Sequence, residues 1–169
     1  MTKKSKVPVT LMDYNDMVAM FHEESDRAAA LLAGIVAEEY TETLLREFAR
    51  PDKDVDELFN RYGPLSSFAA RINVAYAFRL IDNQLRSDLN YIRTVRNRFA
   101  HELHNTSFSA SPVREICKNL STRETSAEPR IQYLMAVGLA VGQMHNILRA
   151  LRQATERQLD KKPNKSSGC

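Results

Sequence analysis

Apolar residues recur at three- and four-residue spacing along almost the whole chain, with only 5 glycines and 6 prolines among 169 residues to interrupt them. That period belongs to helices packed through one face, and no pair of alternating apolar segments bounded by turn residues offers a strand pair. The expected fold is therefore all-α, a single-domain bundle of about five to seven helices, large enough to bury a core without disulfides or a structural metal. Stop signals divide the pattern. A short helix is expected over residues 10–21, and Ser25 caps a long one that ends before Arg50-Pro51. Residues 54–60 form a connecting helix closed by Tyr62-Gly63-Pro64, and Ser66 or Ser67 caps a helix through residue 81 with Phe68, Ile72, Ala75 and Leu80 turned inward. Asp82 caps the next, residues 83–101, whose stripe is Leu85, Leu89, Ile92 and Phe99.

Ser111-Pro112 reads as an N-cap followed by proline at the first helical position, opening a short helix with Val113, Ile116, Cys117 and Leu120. The polar linker 121–129 leads to a last helix over residues 130–159, whose repeat of Ile131, Leu134, Val137, Val141, Met144, Leu148 and Leu151 suits an antiparallel partner. The domain plan is a flexible tail at 1–9, a helical body at 10–160 and a disordered basic tail at 161–169.

Charge needs a correction before it argues for nucleic acid. Six of the 24 Lys and Arg lie in the tails (Lys3, Lys4, Lys6, Lys161, Lys162, Lys165), leaving 18 basic against 21 acidic groups in the body, which is thus slightly acidic. No apolar run approaches the roughly 20 residues of a membrane span, and the first residues are too polar for a signal-peptide core, so a cytoplasmic location is expected. Cys117 and Cys169 form no disulfide framework or metal-ligand pattern. No cofactor or metal motif occurs: His22 and His145 lack ligand partners at helical spacing, and acid pairs such as Glu23-Glu24, Glu38-Glu39 and Asp52, Asp54, Asp56 read as solvated faces and caps.

The most informative segment is the run from Arg93 to His101. Stepping about 100° per residue from Leu85 places Arg96 in the middle of the apolar stripe, where a permanent charge needs a carboxylate, a ligand or a subunit against it. Glu39, on the face of Ala28, Leu32 and Ile35 in the long helix, is the partner expected for a structural ion pair with Arg96. Arg93, Asn97 and His101 follow at steps of four and form a polar face beside it. Two readings of this cluster stand together. As chemistry, imidazole moves a proton near neutral pH and guanidinium grips phosphate, so His101, Arg96 and Asn97, with Arg93 and His104 on phosphate or a partner, would activate a 2′-hydroxyl of RNA without metal. As structure, His101 complements a helix C-terminus and Asn97 ties down a neighbouring loop.

From about residue 31 to residue 120 the chain resembles the mannitol operon repressor family. The resemblance is carried by Gly63-Pro-Leu-Ser-Ser-Phe68, Ala69-Ala-Arg-Ile72, Ala75-Tyr76, Asp88-Leu89, Ile92-Arg93, Arg96-Asn97, Phe99-Ala100-His101, Phe108-Ser109 and Ile116-Cys117. It implies a compact helical repressor of mannitol uptake and use that lacks a recognisable DNA-reading module. A looser resemblance links Arg96-x-x-x-x-His101, with Asn97 after the arginine, to the Arg-x4-6-His motif of HEPN domains. That likeness implies a HEPN-like bundle and, in the nuclease members, a metal-independent endoribonuclease of toxin or defence type using Arg96 and His101 at a dimer interface. No helix-turn-helix with a basic second helix, zinc finger or basic arm is present, which argues against direct DNA binding. The expectation is a transcriptional regulator working through a protein partner or through itself as a dimer or oligomer, with RNA cleavage as the competing reading.

Overall fold

The computed structural model describes residues 21, 23–49, 52–102, 106–122 and 128–160. Residues 10–20 of the first helix expected over 10–21, His22, His104 and the two tails lie outside the described residues. Six helices are present among those described: α1 (Asp26–Phe48), α2 (Lys53–Leu58), α3 (Phe68–Ala77), α4 (Asn83–His101), α5 (Val113–Cys117) and α6 (Pro129–Asp160), with no strand.

Three caps follow the sequence. Ser25, Ser67 and Asp82 accept from the backbone N–H of Ala28, Ala70 and Leu85, each satisfying a donor the first helical turn leaves open. Two boundaries shift. Helix α3 stops at Ala77 rather than running to residue 81, because Arg79 takes a positive φ of 58° and turns the chain. Helix α5 begins at Val113 with Pro112 in the cap position, one residue later than expected, and no side chain caps it.

Small residues let α1 lie at the centre. Ala29, Ala30, Ala33, Gly34 and Ala37 are all buried, so neighbouring helices approach its backbone closely. Tyr133 donates to the Ala30 carbonyl (2.9 Å), Thr41 to the Met144 sulfur (3.5 Å) and Arg152 to Glu47 (2.9 Å). These contacts climb both helices together, so α6 runs parallel to α1, its principal neighbour, instead of antiparallel. An antiparallel pairing follows from a short connection, and here four helices separate the two. Helix α4 is the antiparallel neighbour: Arg27, in the first turn of α1, reaches the carbonyls of Phe99 and Glu102 at the far end of α4.

The stripe Leu85, Leu89, Ile92 and Phe99 is buried as expected, and Phe99, Phe108 and Tyr133 stack through centroids 4.9 and 5.4 Å apart. Three apolar positions assigned to helix faces turn out to solvent. Leu32 and Ile35 of α1 are 43% and 46% exposed, because the packed face of α1 is its alanine stripe; Ile131 of α6 is 41% exposed. Residues 129–157 of α6 are, by length and composition alone, long and apolar enough to cross a membrane, contrary to the reading of the bare sequence. Packing on α1, α4 and α5 accounts for part of that apolarity: Tyr133, Leu134, Val137, Val141, Met144 and Leu148 are buried.

Candidate functional site

The second half of α4 brings part of the expected cluster together and leaves part of it apart. Helix geometry puts Arg96 against α1 opposite Gly34, whose missing side chain makes the space: a Cβ there would sit 2.7 Å from Arg96 Cγ and 2.8 Å from Arg96 Cβ. The guanidinium then lies 5.9 Å from the Phe68 ring centroid, donates through Nη2 to Glu38 Oε2 and through Nη1 to Asn97 Oδ1 (2.9 Å). The ion pair expected with Glu39 is thus made with Glu38. Glu39 points to solvent on the same outward side as Leu32 and Ile35, while Glu38 follows Gly34 by one turn and borders α4.

Glu38 also belongs to a longer run of alternating charge. Arg71 of α3 approaches Glu38 (3.5 Å) and Glu42 (3.1 Å), Glu42 accepts from Arg46 (2.8 Å), and Arg46 reaches Asp56 of α2. The ladder joins all of the first four helices. Its middle is shielded, with the side chains of Arg71 and Glu42 9% and 13% exposed, and Arg71 gains a further bond to the Leu65 carbonyl (2.8 Å). A buried pair of this kind holds its geometry because removing one member strands the other charge, a cost of about 3–5 kcal/mol when burial is complete. Phe59 caps the ladder at one side, 4.1 Å beneath Arg46.

The remaining members of the expected site are placed differently. Arg93 makes only a long bond to Asn90 Oδ1 (3.5 Å), and its Nε, like that of Arg96, is buried without a hydrogen-bond partner. Asn97 holds Arg96 rather than tying down a loop. His101 is exposed in the last turn of α4, where the helix carbonyls are met by Arg27 instead. Five residues along a helix turn a side chain by about 140°, so Arg96 and His101 leave α4 in different directions. The Arg96 guanidinium is engaged by Glu38 and Asn97, and it is not brought to one face with the His101 imidazole within the described residues of one chain.

No group of three or more His, Cys, Asp or Glu is placed to hold a metal among the described residues. Burial sets the titration of the nearby core: the Cys117 thiol is pushed up to about 12, and the Tyr133 hydroxyl, against Ala30, is raised well above the usual phenol range despite the opposing charge of Arg96. Both are inert packing groups at neutral pH.

Sequence reasoning missed Glu38, Arg71, Glu42 and Gly34. The signal was present in the alanine and glycine stripe, since close helix approach occurs on the small-residue face and charges bordering it are the ones drawn inward. A family profile described as mannitol repressor matches residues 36–147, about two thirds of the chain, and this span contains the whole ladder except its Gly34 contact. No curated protein and no solved structure matches.

Proposed function

The chain belongs to the mannitol repressor family, and from that premise we propose that it regulates a mannitol operon in the cytoplasm through contact with a protein partner, without reading operator DNA itself. One observation carries the protein-contact part. Half of the 16 described Lys and Arg are engaged with carboxylates within the fold: Arg46, Arg71, Arg96, Arg98, Arg114, Lys118, Arg130 and Arg152. A DNA reader instead presents an unpaired basic stripe whose counterion release supplies its affinity. Apolar side chains left at the surface, Leu32 and Ile35 on α1 and Ile131 and Leu139 on α6, are the kind of surface protein contacts use.

A reporter behind a mannitol-operon promoter, in cells lacking this chain, tests the reading. Restoring the chain should lower expression severalfold, and a folded His101→Ala variant should repress equally well. Unchanged expression on restoring the wild type would overturn the regulator assignment. Repression lost with His101→Ala at normal protein level would return the α4 terminus to the functional centre.

A further inference from the structure

Helix α4 carries four arginines against one acid, Asp88. Two of the four are neutralised within the fold, Arg96 by Glu38 and Arg98 by Glu102. Arg86 and Arg93 are half-buried and have no carboxylate partner among the described residues. Standing seven residues apart, they leave the helix within about 20° of each other and about 10.5 Å apart along its axis. Asn90 and Asn97 each follow one of these arginines by four residues, so all four side chains form one row.

Neighbouring groups hold the row in place without neutralising it. The Arg86 guanidinium lies 4.4 Å from the ring centroid of Tyr76 on α3. Asn90 donates through Nδ2 to the Arg86 carbonyl (2.9 Å), and its Oδ1 accepts a long bond from Arg93 Nη2 (3.5 Å). The Arg93 Nε is buried with no hydrogen-bond partner. A guanidinium so placed has given up water without gaining a carboxylate, which costs free energy until an anion from outside meets it. Asn97 uses its Oδ1 on Arg96 (2.9 Å), which leaves its amide N–H groups as donors at the far end. The row thus presents donors and positive charge and carries no acid of its own.

Two cations do not make the basic stripe of a DNA reader, which neutralises about 6–10 phosphates. A two-fold contact with a second copy through this row would set its arginines against each other. Two carboxylates two turns apart on a helix match the spacing of Arg86 and Arg93, and guanidinium takes carboxylate through two parallel hydrogen bonds. We propose that the row Arg86, Asn90, Arg93, Asn97 docks an acidic helical segment of a protein partner, one carboxylate on each arginine, with Asn97 donating to an acceptor beyond them. That segment belongs to the partner proposed above, on which this assignment depends. A reporter unmoved by the wild type overturns that reading without touching the binding test below, and a failed binding test leaves repression standing.

Titration of the isotope-labelled full chain, followed by NMR, tests the row. The probe is an alanine-based helical peptide bearing two glutamates seven residues apart; the same peptide with glutamines and a short single-stranded RNA are the comparisons. The Nε–H signals of Arg86 and Arg93 should shift saturably with the glutamate peptide, which should bind about tenfold more tightly than the glutamine peptide. Arg93→Met should weaken the glutamate peptide about tenfold while Tm stays level or rises, because the half-buried charge goes and the apolar stem remains. Arg86→Gln should weaken it as well and decides alone if Arg93→Met lowers Tm, whereas Arg149→Gln, exposed on α6, should change nothing. Absent shifts, equal binding of the two peptides, binding indifferent to the row's substitutions, or tighter binding of the RNA at the same signals would each overturn the proposal.

Discussion

Replacing Gly34 by alanine sets two effects of opposite sign against each other. In a helix interior the change is worth about 0.8–1.0 kcal/mol in favour of alanine. At this position the new Cβ meets Arg96 Cγ at 2.7 Å, Arg96 Cβ at 2.8 Å and the Tyr133 hydroxyl at 3.1 Å. The first two atoms are the root of the arginine, fixed by α4, so they cannot yield without moving the helix or drawing the guanidinium from Glu38. Overpacking of a tight interface costs about 1–3 kcal/mol, and loosening a charged hydrogen bond adds about 1 more. The net expectation is a loss of about 2 kcal/mol, which for a chain of this size lowers Tm by roughly 4–8 °C. Gly142 supplies the control, for nothing lies within 4 Å of a Cβ built there. Gly142→Ala should keep the propensity gain and raise Tm by roughly 2–4 °C. Thermal melts followed by circular dichroism at the helix band read both. A Gly34→Ala protein as stable as the wild type, or more so, would refute the close approach of α1 and α4 around Arg96.

Glu38→Gln should cost about 1–3 kcal/mol in urea unfolding, by stranding Arg96 and weakening Arg71, whereas Glu39→Gln should stay within about 0.5 kcal/mol; the reverse order would restore the Glu39 pairing. His101→Ala should leave Tm within about 2 °C, since the side chain is exposed and Arg27 meets the helix carbonyls; a larger fall would give His101 the structural role that its position at a helix end suggests. Burial raises the Cys117 thiol from 9.0 to about 12, so its contribution is present in full below pH 9 and is lost between pH 9 and 12 as the unfolded thiol ionises first. Urea midpoints should therefore fall through that window, and Cys117→Ala should flatten the fall; identical pH slopes for the two proteins would show the thiol to be solvent-accessible.

Much of the architecture was legible because local rules decide it. Ser25, Ser67 and Asp82 cap where short polar side chains precede apolar periodicity, and the α4 stripe fixes which side of that helix is inside. The orientation of α1 was not legible, because burial there follows backbone approach rather than side-chain size: alanines at 0% exposure pack while Leu32 and Ile35 face out. That one rotation moves the partner of Arg96 from the expected Glu39 to Glu38. The end of α3 was hidden for a related reason, since arginine gives no hint of a left-handed residue. The long-range ladder from Asp56 to Arg96 depends on how four helices meet, which no spacing within one helix encodes.

Whether the chain reads DNA itself is decided by its binding to fluorescent operator duplexes, read as anisotropy against a scrambled duplex across a salt series. Regulation through a protein partner predicts no sequence preference and only weak, salt-sensitive association. Nanomolar binding that discriminates the operator from the scrambled duplex would show that the chain reads DNA itself and would contradict regulation through a protein partner.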